Sequence, residues 1–297
     1  MPEAVVRGIH INYEVIGESG PWIALTPGSR HPYEELVSLA KAIAVFGYRV
    51  LLHDRRNCGA SEVAFDGSAS EHEVWADDLY ELAVQLGAAP LYVGAPARAR
   101  IAILFAIRHP DALRGLLFWR LTGGQEAANR LAENFYGQYI KLVHVGGMVA
   151  VTNSEHFAAR IAARPANREK LLGVNPEDFV KVMTFWRERF LESAKLPIIG
   201  ATEADLKSIN APACLIAGND LIHTPAIARK AASLISNSEL YEDVVEQRGD
   251  NNLLKEWDRK EWRDVEPRIA AIFAAFLKKA ELQKQLRDAK TSMRLIN

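Results

Sequence analysis

Leu91-Tyr92-Val93-Gly94-Ala95-Pro96-Ala97-Arg98-Ala99-Arg100-Ile101-Ala102 changes its hydrophobic period in mid-stretch. Leu91 to Val93 is a short apolar run that stops at Gly94, and helical spacing follows through Ile101, Leu104, Phe105 and Ile107. The run is of the buried-strand kind and the spacing is that of an amphipathic helix, so the stretch reads as strand, tight turn and helix. Pro96 stands at the centre of the turn. Its ring holds φ at about −65° and its side chain offers no nucleophile.

The same alternation extends to both sides. Trp22-Ile23-Ala24-Leu25 is a second continuous apolar run, ending in Thr26-Pro27-Gly28-Ser29-Arg30. Helical spacing over 34–46 is closed by Gly47, and a strand over 49–52 ends in His53-Asp54-Arg55-Arg56-Asn57-Cys58-Gly59-Ala60-Ser61. A helix over 74–86 precedes the central stretch, and a strand over 115–119 follows it. Residues 5–17 read as two short strands. Strands alternating with helices imply βαβ crossovers and a mostly parallel sheet with helices on both faces. In such sheets ligands gather at the carboxyl ends of the strands, here 26–30, 54–61, 94–98 and 120–124.

From about 123 the strand pattern disappears. Helical patterns at 131–143, 156–163 and 179–191 are separated by Gly146-Gly147, Pro165 and Pro176. The sheet resumes at 213–217, followed by a helix at 225–235, a strand at 239–244 and a helix at 265–279. The expected division is a first core part over 1–123, a helical cap insertion over 124–206, a second core part over 207–280 and a charged tail over 281–297.

The chain has 297 residues, 49% hydrophobic and 25% charged, with a formal net charge of −1. That size and composition fit a globular α/β protein with a full core. The balance points to neither nucleic acid nor an anionic membrane surface as partner. Cys58 and Cys214 are far apart and lack metal-ligand spacing, so no metal, disulfide framework or cofactor is expected. With no membrane-length apolar run, the expectation is a cytoplasmic protein with a small-molecule ligand, its oligomeric state open and a dimer compatible.

Gly94 to Arg98 occupies the place of a G-x-S-x-G nucleophile elbow, with Pro96 third. The loop Asp54 to Ser61 is similar to D-x-R-G-x-G-x-S, and Gly218-Asn219-Asp220-Leu221-Ile222-His223 to a strand-end acid loop. In this order and separation the motifs resemble those of the capped α/β-hydrolases. The resemblance implies the α/β-hydrolase fold with an eight-stranded sheet. It implies that Pro96 holds the nucleophile position, chemically inert, and that Asp220 holds the acid position. The family's histidine follows the last strand, but no histidine occurs after His223. Without serine and base, the acyl-enzyme route is closed.

Remaining candidates are His31 and His223 as bases, Gly28, Ser29 and Ala97 for an oxyanion, and Trp119 as a pocket floor. Arg30, Arg98 and Arg120 suit a carboxylate or phosphate, because guanidinium forks pair with planar anions. Cys58 beside Arg55 and Arg56 is a further nucleophile candidate. The leading expectation is an enzyme that hydrolyses or cleaves a small anionic or aromatic molecule by a non-serine mechanism. The alternatives are an inactive homologue that binds a ligand or partner, and an esterase whose elbow has been altered.

Overall fold

A computed structural model describes residues 2–97, 99–246 and 259–296. Eight strands form one sheet: β1 Glu3–Val6, β2 Ile9–Ile16, β3 Trp22–Leu25, β4 Arg49–His53, β5 Leu91–Pro96, β6 Leu113–Trp119, β7 Ala213–Ile216 and β8 Ser238–Tyr241. Their spatial order is β1-β2-β4-β3-β5-β6-β7-β8. The β1–β2 and β2–β4 pairs are antiparallel, and every later pair is parallel. Central β5 is buried along its whole length, as a parallel strand covered on both faces must be.

The crossover helices are α1 Val37–Ala44, α2 Glu71–Gln85 and α3 Ala99–Arg108. One face of the sheet packs against α2 and α3 through Trp75, Leu79, Ile101 and Phe105. The other packs against α1 and the last helix through Leu39, Ile43, Phe273 and Leu277. Helix α2 begins earlier than the apolar spacing alone placed it. Ser70 and Glu73 cap each other's backbone N–H in a capping box, fixing the first turn ahead of Val74.

Between β6 and β7 lie α4 Gln125–Ala132, α5 Gln138–Thr152, α6 Glu155–Ala163, α7 Asn167–Leu172 and α8 Pro176–Glu192. They share an apolar cluster of their own around Tyr136, Phe157, Phe179 and Trp186. The α5 run is broken at Gly147, whose φ is 61°. This helical layer leaves and rejoins the sheet at one place, where the Ile199 N–H bonds the Thr122 carbonyl at 3.2 Å. Helix α9 Glu203–Ser208 packs by Leu206 into the sheet's core, as do Ile198 and Ala201, so the layer's own packing ends before residue 206. Helices α10 Pro225–Leu234, α11 Arg259–Asp264 and α12 Glu266–Ile296 follow, and the charged tail is a continuation of α12. No helix among the described residues is long and apolar enough to cross a membrane.

Candidate active site

The chain bends sharply at the end of β5. Pro96 still belongs to the strand, paired with Trp119, and the left-handed residue is Ala97, with φ 35°. This corrects the expectation that placed the elbow's central position on Pro96. Proline cannot take a positive φ, so the bend falls one residue later, where Ala95, Ala97 and Ala99 supply the small side chains. The Ala97 N–H bonds the Trp119 carbonyl at 3.0 Å, and the Thr122 hydroxyl donates to the Ala97 carbonyl at 2.5 Å. Arg98 lies outside the described residues.

Across from the bend is the loop after β3. A Cβ on Gly28 would stand 3.6 Å from Pro96 Cγ and 3.8 Å from the Ala97 methyl, so the two loops are in contact. Ser29 is left-handed, with φ 46°. Arg55 holds this loop in place: Nη1 donates to the Ser29 carbonyl at 2.9 Å and Nη2 to the His31 carbonyl at 3.3 Å.

The loop carrying Arg55 is organised by Asp54, whose carboxylate accepts from Asn12 Nδ2, Tyr33 N–H and Ala60 N–H, each at 2.8 Å. Gly59, with φ 51°, leaves the space this carboxylate fills. Arg56 forms a two-pronged pair with Asp78, both contacts at 2.6 Å. Neither these arginines nor the buried Cys58 line the cavity described below. The motif builds the loop rather than the reacting surface.

The loop after β7 carries the acid and a histidine together. Asp220 Oδ1 accepts the N–H groups of Ile222 and His223, each at 3.0 Å, and His223 Nδ1 lies 2.8 Å from both carboxylate oxygens. Gly218 makes this possible, since a Cβ there would lie 2.1 Å from the His223 carbonyl. A carboxylate only accepts hydrogen bonds, so Nδ1 carries the proton and Nε2 keeps its lone pair. Burial pushes the Asp220 pKa up, but the bonds from His223 and the loop N–H groups outweigh it and hold the carboxyl below its ordinary value. Burial holds His223 below its ordinary value as well, with the Arg120 charge acting the same way and Asp220 opposing.

His223 lines a cavity of about 290 Å³ together with Gly28, Ser29, His31, Pro96, Ala97, Trp119 and Arg120. Leu131 and Phe135 of the helical layer and Trp262 of α11 complete its apolar walls. The Arg120 guanidinium lies 5.1 Å from the centre of the Trp262 ring, while His31 Nδ1 pairs with Glu35 at 3.1 Å. Asp220 stands behind His223 rather than on the cavity wall.

Arg30 departs from its expected role. Its Nη2 is bound to Glu71 Oε2 at 2.9 Å, and both side chains are buried away from this cavity. The Tyr136 hydroxyl donates to the same carboxylate oxygen at 2.9 Å. The structure thus gathers Gly28, Ser29, His31, Pro96, Ala97, Trp119, Arg120 and His223, and gives Arg30 to the contact between the sheet's core and the helical layer. Sequence reasoning passed over Trp262 and Arg100, the latter one turn from the bend.

No family model matches the chain, and no curated protein does. Among solved structures, a meta-cleavage product hydrolase from Pseudomonas fluorescens IP01, a serine-to-alanine mutant complexed with acetates, superposes with a TM-score of 0.63 at 17% identity, over 94% of this chain and 98% of that one. A bromoperoxidase from Bacillus anthracis gives 0.59 at 17% identity, over 93% and 100%. An enol-lactonase from Burkholderia xenovorans LB400 gives 0.54 at 20% identity, over 80% and 90%. At these identities the likeness is one of architecture, and with the strand order above it establishes that the chain has the α/β-hydrolase fold.

Proposed function

We propose that this protein is an enzyme that hydrolyses or cleaves a small molecule by general-base catalysis, with His223 as base and no covalent intermediate. The observation that carries this reading is His223, backed by the buried Asp220, on the wall of the same cavity as Gly28, Ser29 and Ala97. A neutral imidazole with Nδ1–H fixed by a carboxylate presents Nε2 to a water or to an acidic proton of the substrate. Asp220 then stabilises the imidazolium that forms. Ala97 leaves room for a water where a hydroxyl nucleophile would otherwise stand. The Gly28–Ser29 backbone is the nearest source of N–H dipoles for negative charge developing on the substrate. Trp119, Phe135 and Trp262 favour an apolar or aromatic substrate body, and Arg120 favours an acidic group on it.

The test is turnover of a panel of enol-lactones, meta-cleavage products and simple esters by the wild type, His223→Gln and Asp220→Asn, with product identified by mass spectrometry. The expected result is turnover of at least one member, reduced about 10²- to 10⁴-fold by His223→Gln and untouched by fluorophosphonate. Binding without turnover across the panel, or a His223→Gln variant as fast as wild type, would overturn the reading in favour of a ligand-binding protein.

A further inference from the structure

Arg100 sits in the first turn of α3, immediately past the bend, and its surroundings are unusual for an arginine. Its Nε has no accessible surface and no hydrogen-bond partner. Among the described residues no carboxylate lies within ion-pair distance of its guanidinium. Tyr136 and then Glu73 are the groups whose charge favours its protonated form, and Arg189 opposes that influence. Burial holds its pKa below the ordinary arginine value. The positive end of the α3 dipole adds a further unfavourable charge. The side chain is nonetheless held in one direction: its stem crosses Gly200, whose φ is 90° and whose missing Cβ would lie 2.1 Å from Arg100 Cδ.

The guanidinium lines a recess of about 20 Å³ with His72, Phe190 and Ile199. That is the order of size needed for one ordered water, or for one oxygen of a carboxylate. Ala97, Thr122 and Leu131 line both this recess and the main cavity, so the two are neighbours across the bend. A partly buried arginine whose Nε–H is fully buried without a partner costs stability, and a chain retains such costs where a ligand supplies the partner.

We propose that the Arg100 recess is the carboxylate-binding subsite for the ligand of the main cavity, which makes the substrate a small carboxylic acid. One carboxylate oxygen enters the recess and accepts from Arg100, and the remainder of the molecule passes the Ala97 methyl into the space that His223 lines. This inference rests on the proposed substrate cavity and deepens it. It does not require that His223 be catalytic.

Two measurements on the full chain test it, with benzoate and propionate as probes and benzamide and propionamide as neutral controls. By calorimetry, Arg100→Met should weaken carboxylate binding about ten-fold or more while leaving the weak binding of the amides unchanged. Arg100→Lys should restore part of it. By thermal denaturation without ligand, Arg100→Met should raise Tm, because the stem on Gly200 is kept and the buried unpaired Nε–H is gone, and carboxylate should no longer raise it further. Carboxylate affinity equal in wild type and Arg100→Met would overturn the subsite. Equal affinity for acids and amides in the wild type would do the same. His223→Gln separates this from the catalytic reading: carboxylate binding kept with turnover lost supports both, and turnover of acidic substrates unaffected by Arg100→Met removes the subsite alone.

Discussion

His223 Nδ1 stands 2.8 Å from Asp220 Oδ1 and the same distance from Oδ2, three residues away within one tight loop. The carboxylate and the imidazole are therefore positioned by the same backbone, which Asp220 also fastens by accepting two N–H groups. As the proposed base, His223 works in its neutral form, and its pKa is held below 6.5 chiefly by burial. The rate should accordingly rise with pH through an ionisation below 6.5 and then level. Asp220→Asn removes the influence that raises this pKa, so the limb should move to lower pH as the rate falls. A kcat/KM profile checks both, and a limb at or above 6.5 in the wild type contradicts the burial argument.

The second prediction concerns the bend. Because Ala97 holds the left-handed φ and the Gly28 contact, a hydroxyl belongs there if it is to act as a nucleophile. Ala97→Ser should gain labelling by a fluorophosphonate probe, whereas the wild type and Pro96→Ser should not. Intact-mass measurement after labelling decides it. An unlabelled Ala97→Ser, folded by circular dichroism, would mean that His223 does not reach the bend.

What the sequence could and could not reveal follows the range of the interactions. Trp22–Leu25 was legible as a strand because an unbroken apolar run needs no partner to be recognised. The turn at Gly218–Asp220 was legible because a Gly-x-Asp turn at a strand end is a local pattern. The bend was misplaced by one residue because Gly94 anchored the count, while the backbone answered to the φ constraint of Pro96. The arginines were harder still. Arg30 meets Glu71 and Arg56 meets Asp78 across 41 and 22 residues, and nothing local distinguishes a committed guanidinium from one that faces a ligand. Arg100 was passed over because its distinguishing feature is a missing partner, which only the packed structure displays.

Arg30, Glu71 and Tyr136 make the third prediction. The pair is buried, the Tyr136 hydroxyl of the helical layer bonds the shared carboxylate oxygen, and the guanidinium lies 5.4 Å from the Tyr136 ring centre. Arg30→Met strands a buried carboxylate and should cost about 3–5 kcal/mol. Glu71→Gln strands the guanidinium and should cost a similar amount. The double variant should lose much less than the sum, because neither charge is then left alone. Urea denaturation of the four proteins completes the cycle. Additive losses, or single losses under about 1 kcal/mol, would show that the pair does not fasten the helical layer.

His53 provides the last prediction, one of stability against pH. It closes β4 opposite Tyr13, is 1% exposed, and neither ring nitrogen has a hydrogen-bond partner. Burial, aided by the Arg55 charge, pushes its pKa from 6.5 down to about 3. The sign follows from linkage: between those values the unfolded chain binds a proton on His53 that the folded chain does not, so stability falls as pH falls. The contribution is intact above 6.5 and declines by up to about 1.4 kcal/mol per pH unit toward the folded value. His53→Leu removes the ionisation and the two unpaired nitrogens while keeping the volume. The variant should be at least as stable as wild type at neutral pH, and its urea midpoint should fall less steeply between pH 6 and 4, by roughly one proton's worth of slope. His156 and His223, also held below their ordinary values by burial, supply the slope that remains. A His53→Leu profile parallel to that of the wild type would mean that the folded protein accepts the proton at His53, and that this ring is solvated in a way its burial does not allow.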